Sequence, residues 1–231
     1  MAPQILITGA SRGIGLALAT EFAGRGWRVR AACRTPDSAE ALKALAAQNN
    51  AVSLHPIDVT DQASIDALAA ELQGETLDVL CNNAGIGGGR AALGALDFPH
   101  WRTVLETNLL GAVKTTEAFL PHVEASTQKK IVSISSSLGS ISTTKGGSYA
   151  YRSSKAALNM AMRSIAMDLQ PRGVTVAVLS PGIVDTDFTR GARMDKISPQ
   201  ESARGLADMI EKLSPDQTGE FLRYNGEALT W

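Results

Sequence analysis

Apolar positions along the chain fall into two kinds of run. Short runs rich in β-branched residues occur at 4–8, 28–33, 52–57, 79–82, 130–135, 174–179 and 220–222. Several are continuously apolar, the pattern of strands covered on both faces. Between them, longer alanine- and leucine-rich stretches at 13–23, 39–48, 61–72, 99–120, 148–170 and 199–213 read as helices. The boundaries agree: Asp61 and Ser198 read as N-caps, Pro199 takes the first helical position, and Pro171 and Gly173 close the long helix. Strict alternation of strand and helix predicts a doubly wound α/β fold, a seven-stranded parallel sheet with helices on both faces and right-handed crossovers. Without an internal repeat or long linker, 1–231 reads as one domain.

Such a sheet binds its ligand beyond the carboxyl ends of its strands, so the segments after the strands carry the candidate chemistry. The first strand runs into Thr8-Gly9-Ala10-Ser11-Arg12-Gly13-Ile14-Gly15. Glycines there let backbone N–H groups approach a pyrophosphate, and a helix N-terminus favours its charge. The spacing G-x-x-x-G-x-G departs from G-x-G-x-x-G. A plain tight turn is the competing reading, and the strand before and helix after favour the cofactor loop. The second strand ends in Ala31-Ala32-Cys33-Arg34-Thr35. It lacks the acid that would hold the ribose hydroxyls of NAD, and it carries an arginine suited to a 2′-phosphate. Arg12 adds a second cation, so NADP(H) is expected in preference to NAD(H). Asp58, followed by Val59 after the third strand, is placed either to accept a hydrogen bond from the adenine amino group or to cap the next helix.

Tyr151-Arg152-Ser153-Ser154-Lys155 opens the long helix. Residues four apart share a helix face, so phenol and ammonium can share a pocket. A nearby cation favours phenolate and is expected to lower the tyrosine pKa from its usual value near 10, as acid–base catalysis requires. Alone, Y-x-x-x-K is a common pattern whose bland reading is an exposed tyrosine beside a solvated lysine.

Taken together, the segments resemble the short-chain dehydrogenase/reductase family over nearly the whole chain. Thr8–Gly15 is similar to its cofactor loop. Asn82-Asn83-Ala84-Gly85 matches its NNAG signature, which implies a supporting role for the sheet and a cofactor contact through Asn83, Ala84 and Gly85. Asn108 resembles the family's helix asparagine, which helps hold a water on a proton relay. Ile134-Ser135-Ser136-Ser137-Leu138-Gly139 matches its serine segment, and the S-x-x-G pattern selects Ser136 over Ser135 and Ser137. Pro181-Gly182-Ile183-Val184-Asp185-Thr186 matches PG-x-V-x-T, which implies cofactor contacts by Pro181, Gly182, Val184 and Thr186 beside the nicotinamide. The resemblance implies that Ser136 polarises a carbonyl, that Tyr151 transfers the proton, that Lys155 holds the nicotinamide ribose, and that Asn108 supports the relay. It also implies a Rossmann domain and a homodimer or homotetramer. One departure is a slightly longer interval between Ser136 and Tyr151, consistent with a small looped insertion at Lys145-Gly146-Gly147. The compact ending at Trp231 and the Gly146-Gly147-Ser148-Tyr149 insertion resemble the carbonyl-reductase-like branch that includes the C-factor and sniffer proteins, while Arg190 and Arg193, on the short segment after the sixth strand, read as solvated charges rather than contacts to an anionic substrate. The implied reaction is NADPH-dependent reduction of an aldehyde or ketone. The alternatives are an NAD-dependent alcohol dehydrogenase and a signalling protein that retains a dinucleotide site.

Composition narrows the remaining classes. Apolar residues make up 44% and charged residues 19%, with a formal net charge of −1, so there is no broad basic surface for nucleic acid or anionic lipid. No apolar stretch reaches the roughly 18 residues of a membrane span, and the N-terminus lacks a signal-peptide pattern; a cytoplasmic protein is expected. Cys33 and Cys81 read as packed, reduced thiols. His55, His100 and His122 lack metal-ligand spacing. Met160, Met162 and Met167 fit helix packing or a subunit face.

Overall fold

Parallel strands flanked by helices must be apolar on both faces, and alternation within each strand then sends neighbours into different cores. In the computed structural model, which describes residues 2–89, 91–190 and 195–231, β1 (Gln4–Thr8) is buried throughout. Its Ile5 and Ile7 enter one core and Leu6 the other. The remaining strands are β2 (Arg28–Cys33), β3 (Val52–Pro56), β4 (Val79–Asn82), β5 (Lys130–Ile134), β6 (Thr175–Ser180) and β7 (Phe221–Arg223). They form one parallel sheet ordered β3-β2-β1-β4-β5-β6-β7, with Ile5 beside both Val29 and Val79 and Lys130 beside both Val79 and Thr175.

The first core joins α1 (Gly13–Gly24), α2 (Glu40–Gln48) and α7 (Pro199–Lys212) to the sheet through Leu18, Phe22, Leu42, Leu206 and Ile210. The second joins α3 (Gln62–Glu71), α5 (Gly111–Glu124) and α6 (Tyr149–Leu169) through Ile65, Phe119, Leu158 and Met162. The expected caps are present: Asp61 accepts from Ala63 N and Ser198 from Glu201 N, while Gly173 ends the long helix at φ +74°.

One expected helix is divided. The stretch 99–120 forms α4 (Phe98–Leu105), a wide π-type turn at Glu106–Leu110, and then α5. A single widened turn leaves the apolar periodicity almost unchanged, so the sequence pattern does not reveal it. The turn carries Asn108, and such turns concentrate at functional positions. The order of the sheet sets the site: the chain leaves β3 at one edge and returns beside β1, so the carboxyl ends of β1 and β4 form the switch point where a crevice opens.

Candidate functional site

β1 leaves the sheet through Gly9 (φ +69°) and reaches α1 at Gly13 (φ +56°), both in the left-handed region that favours glycine. The turn is pressed against the segment after β4. A Cβ on Gly9 would lie 2.8 Å from Ala84 Cα, and one on Gly15 would lie 2.3 Å from the Gly9 oxygen and 2.5 Å from Asn83 Nδ2. Asn83 Nδ2 donates to the Thr8 oxygen at 2.8 Å, and the backbone N–H groups of Asn83 and Ala84 both donate to Thr8 Oγ1 at 3.1 Å. Thr8, which the sequence reading did not single out, is therefore the joint between the glycine turn and the NNAG segment. Asn82 works inward, donating to Thr116 Oγ1 at 2.9 Å.

The turn fits a pyrophosphate. Arg12 precedes α1 without a side-chain capping hydrogen bond, and the first turn of α1 holds no acidic residue, so the positive end of the helix is left for an external anion. Ser11 and Ile14 flank Arg12 and Gly13 in the same turn. A Cβ on Gly13 would lie 3.5 Å from Thr186 Cγ2, which brings the loop after β6 to face the glycine turn. Gly15→Ala is expected to destabilise the fold by about 1–3 kcal/mol through overpacking against backbone and to weaken dinucleotide binding. Gly24→Ala, where an added Cβ meets nothing within 4 Å, is the control. Denaturant melts and cofactor titration of both variants check this.

At the end of β2, Arg34 is exposed, as is Arg12. Neither makes a side-chain ion pair among the described residues. Asp58 Oδ1 accepts from Thr60 N at 2.9 Å and Thr60 Oγ1 at 2.7 Å, and its backbone N–H donates to Ser64 Oγ. Of the two roles expected for Asp58, helix capping falls to Asp61, because Asp58 instead shapes the turn ahead of α3. Partial burial raises the Asp58 carboxyl, but the Thr60 hydrogen bonds and the Arg34 charge outweigh it and hold the pKa below the usual carboxylate value. Val59 is buried against α5, where a Cβ on Gly111 would come within 2.8 Å of Val59 Cγ2.

On the other side of the crevice, β5 delivers the serine segment to α6. Ser135 Oγ is committed inward, donating to Asn159 Oδ1 at 2.6 Å, and the Ser137 N–H donates to Ser180 Oγ at 3.2 Å. Ser136 Oγ accepts a local hydrogen bond from Leu138 N at 3.1 Å, and its side chain acts to lower the Tyr151 pKa. The longer interval between Ser136 and Tyr151 does not part them, because Gly146 (φ +79°) and Gly147 (φ +68°) let the added residues loop outward. Gly139 seats the serine turn on α6, since a Cβ there would lie 2.9 Å from the Lys155 carbonyl carbon. Lys155 is buried, and its Nζ donates to the Ile134 oxygen at 2.8 Å and lies 6.0 Å from the centre of the Tyr151 ring.

The phenol is not acidified by its neighbour, contrary to the sequence expectation. Burial pushes the Tyr151 pKa up to about 12, against a hydrogen bond from Ser136 that lowers it. Burial likewise brings Lys155 down to about 8. Removing both groups from water penalises each charged form more than their mutual proximity repays. The ammonium, moreover, directs its hydrogen bond to a backbone carbonyl rather than to the phenol.

Asn108, buried in the wide turn, holds this arrangement together. Its Oδ1 accepts from Ile86 N at 2.8 Å, and its Nδ2 donates to the Ile86 oxygen and Ser154 Oγ, each at 3.0 Å. Ser154 Oγ in turn donates to the Tyr151 carbonyl at 2.8 Å. Gly85 lies between them, a Cβ there falling 3.3 Å from Asn108 Oδ1 and 3.7 Å from Lys155 Nζ. Beyond β6, the Pro181 oxygen accepts from Ser202 Oγ, Gly182 turns at φ +83°, and Val184 is buried and bridged to Ile197. Phe188 follows on the same segment with its ring centre 5.2 Å from that of Tyr151; no local pattern singled it out. Arg193 lies outside the described residues.

The other flagged residues are elsewhere. His55 is buried between Ser53 and Glu71, and His100 bonds the Gly87 oxygen. Cys33 and Cys81 are buried free thiols, and burial pushes Cys81 up to about 12. Met162 is in the core, whereas Met160 and Met167 are exposed. Among the described residues, no helix is long and apolar enough to cross a membrane, and no cluster of His, Cys, Asp and Glu could hold a metal ion.

A doubly wound sheet with an open glycine turn at its switch point, facing a serine, a tyrosine and a lysine, defines a dinucleotide-binding oxidoreductase. Comparison with known proteins places it further. Residues 3–197 match the family model described as short chain dehydrogenase. The C-signal protein of Myxococcus xanthus is 39% identical over 67% of this chain and 93% of its own length. The 1-hydroxy-2-glutathionyl-2-methyl-3-butene dehydrogenase of Rhodococcus sp. (strain AD45) is 37% identical over 98% of this chain and 99% of its own. The structure of NADPH-bound carbonyl reductase from chicken fatty liver matches with a TM-score of 0.93 at 33% identity, covering 100% of this chain and 99% of that one. The chain belongs to the short-chain dehydrogenase/reductase family and is an NAD(P)-dependent oxidoreductase acting on CH–OH or C=O groups.

Proposed function

We propose that this enzyme, acting as one Rossmann domain over residues 1–231, reduces an aldehyde or ketone to the alcohol with NADPH. The observation that carries the reading is the Ser136–Tyr151–Lys155 arrangement facing the glycine turn, with a phenol that stays protonated at neutral pH because its pKa stands at about 12. A protonated phenol is ready to give a proton, which is the demand of carbonyl reduction.

NADPH, when bound, supplies the hydride. Gly9, Ser11, Arg12, Gly13, Ile14 and Gly15 would hold its pyrophosphate against α1, with Asp58 and Val59 along the adenine side. Asn83, Ala84 and Gly85, with Pro181, Gly182, Val184 and Thr186, would line the nicotinamide half. Lys155 would hold the ribose through its ammonium. Ser136 donates a hydrogen bond to the substrate oxygen, and Tyr151 releases its Oη proton to that oxygen as it becomes an alkoxide. Donors already in place for that charge stabilise the transition state more than the ground state. Asn108 acts at one remove, fixing Ile86 and, through Ser154, the start of the Tyr151 turn.

Arg34 and Arg12 support NADP(H) over NAD(H), because two cations without ion-pair partners suit a 2′-phosphate. Arg34→Ala is expected to raise the Kd for NADPH by about tenfold, the loss of one charge-assisted contact of roughly 1.5 kcal/mol, and to leave NADH binding nearly unchanged. Calorimetric titration with both cofactors measures it. The assay for the function itself follows loss of NADPH absorbance across neutral aldehydes and ketones, and turnover with NADH alone would overturn the cofactor assignment. Likeness to a protein named C-signal favours a second reading, a signalling protein that keeps the dinucleotide site. Tight NADPH binding with silence on every carbonyl would select it. Self-association as a homodimer or homotetramer is proposed over the α6 face that exposes Met160 and Met167, to be read by light scattering.

A further inference from the structure

We infer that Phe188 is the specificity-determining residue of this site and that it selects neutral aromatic carbonyl compounds, with the substrate ring lying against its exposed face. The inference rests on the carbonyl-reduction reading above. Phe188 follows Thr186 at the crevice mouth, and its ring centre lies 5.2 Å from that of Tyr151 at an interplanar angle of 58°. One side of the ring thus packs on the phenol that gives the proton, yet the residue remains 51% exposed. An exposed phenylalanine here is an apolar wall whose outer side has no aromatic partner among the described residues.

Bare backbone supports the ring from beneath. A Cβ on Gly87 would lie 3.7 Å from both Cε2 and Cζ of Phe188, and one on Gly88 would lie 2.4 Å from Tyr151 N. The Gly87 oxygen is tied to His100 Nε2 at 3.0 Å, which keeps that backbone in place. The Phe188 ring is therefore seated between Gly87 and Tyr151, and a flat group approaching Tyr151 Oη meets its exposed outer face. The described cations of the same segment are already neutralised: Arg190 pairs with Asp187, and Lys196 pairs with Asp185 at 2.9 Å. They offer an anionic substrate little, whereas ring-on-ring contact in offset or tilted geometry adds to plain apolar burial.

The test uses the full-length enzyme loaded with NADP+, which does not react with ketones, so that binding is read apart from turnover. Acetophenone, cyclohexyl methyl ketone and benzoylformate are titrated calorimetrically into wild type and Phe188→Leu, a change that keeps apolar bulk and removes the ring. NADPH turnover of the same ketones is followed in parallel. Wild type is expected to bind acetophenone about three- to tenfold more tightly than its saturated counterpart and benzoylformate no more tightly than acetophenone. Phe188→Leu is expected to bring the aryl and cyclohexyl ketones within about twofold of each other, with the Kd for NADP+ unchanged. An aryl preference absent from wild type, or retained in Phe188→Leu, overturns the inference. So does tighter binding of the benzoylformate anion. Absence of turnover alongside the expected binding pattern instead overturns the reductase reading and leaves the aromatic site standing.

Discussion

Tyr151→Phe is expected to lower kcat for carbonyl reduction by about 10²–10⁴-fold, the range for removing a positioned general acid, with the cofactor Kd unchanged within about twofold. The variant retains the ring and so the contact with Phe188. It removes only the hydroxyl that would meet the substrate oxygen. Because burial already disfavours ionisation of that hydroxyl, its loss leaves no buried charge behind, and stability should shift by no more than about 1 kcal/mol. Single-turnover kinetics with preformed enzyme–NADPH complex separates the chemical step from binding. Turnover within tenfold of wild type would remove Tyr151 from the reaction and with it the proposed chemistry. Ser136→Ala adds a check on geometry: a donor that meets the oxyanion in the transition state should affect kcat more than KM, whereas a residue that only seats substrate would do the reverse.

Much of this arrangement is legible in the residues themselves. Continuous apolar runs such as Ile5-Leu6-Ile7 mark strands that need cover on both sides, and their alternation with helices specifies the parallel sheet. The spacing of Tyr151 and Lys155 by itself places them on one helix face. What the sequence does not show depends on contacts between distant segments. Among three consecutive serines, Ser135 is set aside by its hydroxyl being bound to Asn159, a partner that local spacing does not reveal, which supports the proposal of Ser136. The wide turn at Glu106–Leu110 hides inside an apolar period that it barely disturbs. Phe188 carries no motif, and its importance arises only where its segment folds over Tyr151. The upward shift of Tyr151 is hidden for the same reason: proximity to a cation is visible in spacing, whereas burial is a property of the assembled crevice and here raises the pKa.

Lys155 is expected to show the cost of that burial in two measurements of opposite sign. Its ammonium is buried and its pKa is brought down to about 8 by desolvation. Reductive kcat/KM should therefore hold level at pH values below about 7 and fall as pH rises through about 8, when the site loses its positive charge; Tyr151, near 12, does not titrate in that window. Lys155→Met, of similar length and without charge, should lower kcat/KM by about 10²–10³-fold, the scale of losing one preorganised electrostatic contact, and should abolish the break near pH 8. Stability should move the other way. In the unfolded chain the lysine holds its proton until pH about 10.4, whereas in the folded chain it releases it near 8. Below pH 8 both states are protonated and the native state bears the full penalty of burying the charge. Between these two values the unfolded state binds more protons, so wild-type stability should rise with pH by this contribution. At pH 7, Lys155→Met should be more stable by about 1–2 kcal/mol, after allowance for the Ile134 carbonyl left without its donor, raising Tm by roughly 2–8 °C. That advantage should shrink to nothing in melts above pH about 10. A variant that loses activity but gains no stability at neutral pH would show that the hydrogen bond to Ile134 offsets the desolvation. A pH-independent gain would show that the folded lysine binds its proton as the unfolded chain does, so that burial does not lower its pKa, and the break near pH 8 could not be assigned to it.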